Sequence, residues 1–215
     1  HLSFGHQPPM GTPAARAASS AARSTPVCPP ETTRSSRQLP MLRLFVALEL
    51  PEDHRRRLYA LRDPSWKARW ATPDQFHLTL RFLGPVEEDR LPELTRTLAE
   101  IEAPAFELAP RGLMVLPSLT RPRVLAAAVG PVPELHTLQA EIERRVFELG
   151  FTPEKRPFRP HISLARLKQV PTAAVRSFLQ RHRDFALTPF PVRAFHLYES
   201  HLHPDGARYE MLHRF

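Results

Sequence analysis

The chain has 215 residues, 42% of them hydrophobic and 24% charged, which suits one core or two small lobes packed as one. No run reaches the ~18–20 apolar residues of a membrane-spanning helix, and the single cysteine, Cys28, excludes an internal disulfide and a cysteine-based zinc site. The net charge of +8 and the pI near 10.6 favour a polyanionic partner, nucleic acid first, or serve solubility alone.

Residues 1–40 hold four Arg and one Glu among many Ala, Ser, Pro and Thr, with almost no apolar periodicity. Such a segment cannot bury enough surface to offset the entropy of ordering. It is expected to be a disordered leader, transit-like or vector-derived, with Met41 as the natural start and the folded body over 41–215.

At MLRLFVALEL the pattern changes. Leu42, Leu44, Val46, Leu48 and Leu50 alternate with Arg43, Phe45, Ala47 and Glu49, which predicts a strand. PEDHRRRLYALRD follows with Pro and acids first and basic residues later, the order a helix dipole prefers. FHLTLRFLG, from Phe76, predicts a strand closed by Gly84-Pro85, and 87–103 has helical spacing at Leu91, Leu94, Leu98 and Ile101. FELAPRGLMVLPS and RVLAAAVG read as two strands. PELHTLQAEIERRVFELG reads as a helix with Gly150 as its stop. HISLARL, 161–167, is the next strand, and VPTAAVRSFLQRHRD a short helix. VRAFHLYES and ARYEMLHRF are the last strands, joined by HLHPDG with its Asp205-Gly206 turn signal. The sum is an α+β fold of mostly antiparallel sheet, with no GxGxxG or GxxxxGK phosphate loop.

Within FHLTLRFLG, His77 and Thr79 interrupt an apolar run two residues apart, so a regular strand puts them on one face. HISLAR repeats the arrangement with His161 and Ser163. One H-x-[ST] tripeptide is weak evidence. Two, each after a proline-containing loop and before a helix, suggest two similar lobes offering an imidazole and a hydroxyl to one cleft.

HLTLRFLG and FRPHISLAR, with the opening MLRLFVALEL and the intervening PRVLAAAV, resemble the two-histidine phosphoesterases. The branch they are most similar to is the RNA 2′,3′-cyclic phosphodiesterases, also called 2′-5′ RNA ligases. The resemblance covers about 41–215. It departs in having Ser163 where Thr is commoner and Ala126 where an aromatic often follows PRVL. It implies two pseudo-twofold lobes with outer helices and the active-site cleft between them. It also implies hydrolysis of RNA 2′,3′-cyclic phosphate ends to a 2′-phosphate, in RNA processing or repair, with His77 protonating the O3′ leaving group and His161 activating water. The reverse reaction with a 5′-hydroxyl would be 2′-5′ ligation.

The chemistry suits the residues. A neutral and a protonated imidazole coexist near a pKa of ~6.5 and can serve as base and acid. Thr79 and Ser163 can donate to the non-bridging oxygens, where negative charge concentrates. No metal or other cofactor is expected. A monomer, cytoplasmic and away from membranes, is expected to act on RNA ends. A non-catalytic RNA- or nucleotide-binding module, or an enzyme for small cyclic nucleotides, remains the alternative.

Strict alternation puts Arg81 on the histidine face and turns Phe82 and Arg166 away. The resemblance implies instead that Phe82 stacks on the terminal base and Arg166 binds phosphate. Both hold if each strand bulges just after its motif. Arg159 (with Lys155 and Arg156) and Arg123 (with Arg121) are further candidates for RNA phosphates, or solvated loop charges. His201 and His203 form an HxH beside Asp205, read as part of a turn rather than a metal site. Tyr198 reads as a strand aromatic that could line the cleft, and His54, His136, His182, His196 and His213 are given no role.

Overall fold

The computed structural model describes residues 40–102 and 105–215. The leader expected over 1–40 therefore lies, but for Pro40, outside the described residues.

Eight strands form one antiparallel sheet. β1 (Met41–Glu49), β3 (His77–Glu87), β9 (His196–His203) and β10 (Gly206–Arg214) make one half, and β2 (Ala68–Trp70), β5 (Pro110–Ser118), β6 (Arg121–Val129) and β7 (His161–Leu167) the other. The order is β10-β9-β1-β3-β7-β6-β5, with β2 also pairing β7. A separate ribbon joins β4 (Phe106–Leu108) to β8 (Phe190–Val192). The apolar run expected as one strand from Phe106 is thus two, broken at Ala109. Short β2 and β8 carry too few residues to show a period.

The halves meet where β3 and β7 pair at Leu78↔Ile162, and from there the two strands diverge. About this pair the order is palindromic: β3, β1, β9 on one side answer β7, β6, β5 on the other. The first half of the chain supplies β2 to the second lobe, and the second half supplies β9 and β10 to the first. The two expected lobes therefore exist as halves of one continuous sheet, and β10 has no counterpart.

Helices α1 (Glu52–Ala60), α2 (Leu91–Ala99), α3 (Pro133–Glu148) and α4 (Thr172–Arg181) pack on one face of this sheet. Leu58, Leu94, Leu98, Leu138, Ile142, Val175 and Phe178 join Leu44, Val46, Leu48, Leu78, Leu80, Leu125, Ile162 and Leu164 in one core. Each buried aliphatic or aromatic side chain is worth roughly 1.5–3 kcal/mol, so this face fixes the register of every strand. Phe45, Ala47 and Ala126 are equally buried but stand outside that core, on the opposite face.

Candidate active site

That opposite face carries the motif polar residues. In β3, His77 pairs across with Glu49 and Thr79 with Ala47; in β7, His161 pairs with Ala128 and Ser163 with Ala126. Small partners keep the surface around the hydroxyls low. Because β3 and β7 are antiparallel and touch at Leu78↔Ile162, the flanking positions 77 and 79 lie against 163 and 161. Each histidine thus stands beside the other strand's hydroxyl residue.

The two imidazoles are held alike. His77 Nδ1–H donates to the Gln75 carbonyl at 2.8 Å, and His161 Nδ1–H donates to the Arg159 carbonyl at 2.7 Å. A backbone acceptor two residues upstream selects the Nδ1–H tautomer and leaves Nε2 to exchange protons with a ligand. Gln75 is itself anchored. It ends a 3-10 turn (Pro73–Gln75), its side-chain carbonyl accepts from the Thr72 amide at 3.0 Å, and its Nε2 donates to the Ala207 carbonyl at 2.6 Å.

Both strands bulge at the same offset. Val46 faces Arg81 but the next residue, Ala47, faces Thr79, so Leu80 is extra; likewise Leu125 faces Ala165 and Ala126 faces Ser163, so Leu164 is extra. Leu80 and Leu164 enter the core, and the residues after them flip parity. Phe82 and Arg166 therefore emerge on the histidine face, opposite Phe45 and Val124 respectively. Phe82 is 60% exposed and its ring centroid is 5.9 Å from that of Phe45.

The same bulge corrects the placement of Arg81. It lies on the helix side, buried, with Nε 2.6 Å from Glu143 Oε2, and it donates to the carbonyls of Phe82 and Thr152. Strict alternation fails here because the extra Leu80 rotates Arg81 away from the cleft. Its charge is spent tying β3 to α3 and to the loop before His161.

An aromatic cluster surrounds His77. Phe45 lies 4.8 Å from the imidazole and Tyr209 stands edge-on at 5.0 Å, while Tyr198 stacks on Phe45 at 5.2 Å. Burial pushes the His77 pKa down to about 4; the Gln75 hydrogen bond opposes this and the nearby His161 adds to it. Burial likewise raises the phenols of Tyr198, to about 12, and of Tyr209, the latter opposed by nearby Arg166 and Arg69. Arg69 stands across from Arg166 on β2, and its guanidinium donates to the Pro204 carbonyl at 3.1 Å. The turn of the β9–β10 hairpin thus docks on Arg69 and Gln75, beside His77.

Phe45, Arg69, Gln75 and Tyr209 escaped the sequence reading. Phe45 is the aromatic in the weaker register of β1, a signal that could have marked it. Arg69 lies in a three-residue strand without a period, and Tyr209 comes from a hairpin whose curl no pattern announces. Among the other candidates, Arg159, Lys155 and Arg156 are exposed, and exposed Arg123 sits in the irregularity where Leu116↔Val124 gives way to Pro117↔Pro122. His201 and His203 are in strand β9 rather than the turn, which is Pro204–Asp205. His201 Nε2 lies 3.2 Å from Glu210 and 3.6 Å from Glu199, facing away from the cleft. One atom from each of these three side chains lies within 4.8 Å of the other two.

The family described as LigT like Phosphoesterase matches twice, over residues 48–126 and 129–209, each match containing one motif. The chain belongs to the LigT-like phosphoesterase family. A protein of Thermus thermophilus named RNA 2′,3′-cyclic phosphodiesterase is 36% identical over 187 residues, 81% of this chain and 89% of its own. One of Aeropyrum pernix with the same name is 36% identical over 142 residues, 65% of this chain and 81% of its own. E. coli LigT complexed with 3′-AMP superposes with a TM-score of 0.67 at 26% identity, covering 82% of this chain and 98% of that one.

Proposed function

We propose that this protein hydrolyses the 2′,3′-cyclic phosphate at the 3′ end of RNA, leaving a 2′-phosphate. The observation that carries the reading is the matched pair of imidazoles on one sheet face, each with Nδ1 held by its own upstream carbonyl. The names of the relatives support the substrate class.

In this reading His161 Nε2 takes a proton from water as its oxygen bonds to phosphorus. The P–O3′ bond breaks and O3′ takes the proton of His77 Nε2. Thr79 and Ser163 hydroxyls donate to the non-bridging oxygens, with Arg166 as counter-charge. Arg159 and Arg123 attract the flanking phosphates, and Phe82 offers its open face to the terminal base. With an RNA 5′-hydroxyl in place of water the same groups would form a 2′-5′ linkage. His77 is neutral in the free protein at pH 7, so the acid role requires the phosphate anion to favour its imidazolium on entry.

The test is a 5′-hydroxyl oligonucleotide ending in a 2′,3′-cyclic phosphate, incubated in EDTA. We expect a 2′-phosphate product, and kcat/KM lowered roughly 10²–10⁴-fold by His77→Ala and by His161→Ala with the fold retained. Folded protein that converts nothing, or either variant at full rate, overturns the proposal. Among the described residues no helix is long and apolar enough to cross a membrane. We also propose a cytoplasmic monomer; light scattering of the purified protein checks the mass and fractionation of cells the location.

A further inference from the structure

Two arginines stand side by side on the histidine face. The bulge at Leu164 turns Arg166 onto that face, opposite Val124 on β6. On its other flank β7 pairs with β2, where Arg69 is directly opposite Arg166, so the two side chains share the face. The bulge itself is tied to this segment, since the Ala71 amide bonds the Leu164 carbonyl at 2.8 Å. Tyr209 links the pair to the histidines. Its ring stands edge-on to the His77 imidazole at 5.0 Å, and its phenol, raised by burial, is drawn back by nearby Arg166 and Arg69.

Neither guanidinium is neutralised. Among the described residues no carboxylate lies within 4.0 Å of Arg69 or Arg166, whereas Arg81, Arg144 and Arg145 each have a glutamate there. Like charges directly opposite one another in a sheet are destabilising, so the pair is unfavourable unless an anion lies between them. Holding the hairpin does not require the charge. Arg69 Nη2 bonds the Pro204 carbonyl at 3.1 Å, which an uncharged N–H could do, and Gln75 already fastens the same hairpin at Ala207. Both arginines are exposed, and a guanidinium has five N–H donors, so one bond to Pro204 leaves others for a ligand.

We infer that Arg69 is a second cation of the phosphate site, sharing with Arg166 the phosphate that reacts between His77 and His161. The inference rests on the cyclic-phosphate reading above and adds a residue to it. The cyclic diester carries one negative charge. Once the oxygen of water has bonded to phosphorus and the P–O3′ bond has broken, the 2′-phosphate is a monoester, which loses a further proton above its second pKa of about 6. One arginine balances the diester, and two match the charge that gathers on the phosphate oxygens as the ring opens.

Binding tests this without turnover. The probe is adenosine 2′-phosphate, whose one phosphate stands for the reacting group, titrated calorimetrically at about pH 8, where the monoester is a dianion. The proteins are the wild type, Arg69→Gln and Arg69→Lys. Glutamine keeps an N–H for Pro204 and removes the charge, and lysine keeps the charge. Arg69→Gln should bind about tenfold more weakly, for loss of one charge-assisted hydrogen bond, and Arg69→Lys should recover most of that. No binding by the wild type, wild-type affinity in Arg69→Gln, or Arg69→Lys no tighter than Arg69→Gln each overturns the inference, the last because charge is then not the cause. A loss seen only with a dinucleotide bearing the 2′-phosphate would put Arg69 on the flanking phosphodiester and overturn it too. Turnover of a cyclic-phosphate oligonucleotide, measured alongside, judges the reaction separately: no turnover by the wild type, with the charge-dependent affinity intact, would count against the cyclic-phosphate reading and not against Arg69 as a phosphate ligand.

Discussion

His77 should titrate abnormally low, and the fold should register it. Its imidazole is packed by Phe45 and Tyr209 and held near a pKa of about 4, against 6.5 for an unburied histidine. Between those values the unfolded chain binds the proton and the native one resists it, so stability falls as pH drops through this window. At pH 7.5 both states are neutral and the group contributes almost nothing. At pH 4.5 the unfolded imidazole is essentially all protonated and the native one about a quarter so, a difference of about 2.5 kcal/mol by linkage. Urea unfolding of the wild type and of His77→Gln at pH 7.5 and 4.5 isolates the term, because losses from carboxylates are common to both proteins. We expect the wild type to lose about 2.5 kcal/mol more than the variant, and the imidazole resonances of His77 to titrate near pH 4 in the free protein. Added inorganic phosphate should move that titration upward, since the anion favours the imidazolium. Titration between pH 6 and 7 in the free protein, or equal losses in the two proteins, would refute the claim that the aromatic cluster desolvates this group.

Two further substitutions separate structural from catalytic residues. Arg81→Met strands Glu143 and two carbonyls under the sheet, so chemical denaturation should show a loss on the order of 3 kcal/mol with kcat/KM within about threefold of wild type; a large fall in turnover at unchanged stability would return Arg81 to the cleft. Gln75→Ala releases the turn whose carbonyl aims His77 and frees the hairpin at Ala207. Its kcat should fall about tenfold or more while KM stays near wild type, whereas a merely structural role would move the melting temperature and leave kcat alone.

The two motifs were legible because their chemistry is local. An imidazole and a hydroxyl two apart in a strand share a face whatever the rest of the chain does. The duplication then implied two lobes, and the sheet order bears that out. What the residues alone could not decide was anything beyond a bulge. Parity is a one-bit signal, and a single extra residue inverts it. Leu80 and Leu164 are ordinary core leucines, and nothing in them announces that they are extra. Arg81 was misplaced for that reason, and only the resemblance put Phe82 and Arg166 on the right face. Residues contributed by distant elements were harder still. Tyr209 lies 132 positions after His77 in the chain, and Arg69 meets Arg166 only because three residues of β2 pair with β7.

The internal symmetry also explains why the two histidines need not behave alike. The motif is duplicated, and so is its local hardware: strand, bulge, hydroxyl and a carbonyl holding Nδ1. Acid and base roles require the two pKa values to differ, and the duplicated parts cannot supply a difference. The unduplicated parts can. β10 has no partner in the second lobe, and it brings Tyr209 against His77, while position 45 of β1 holds Phe where the matching residue of β6 is Val124. Aromatic packing is thereby concentrated on His77. In the proposed reaction His161 serves as the base, and a ribose oxygen delivered with the phosphate meets the aromatic-packed His77. In that reaction the enclosed His77 gains its proton as the phosphate's charge arrives, which would couple protonation of the leaving oxygen to the presence of substrate.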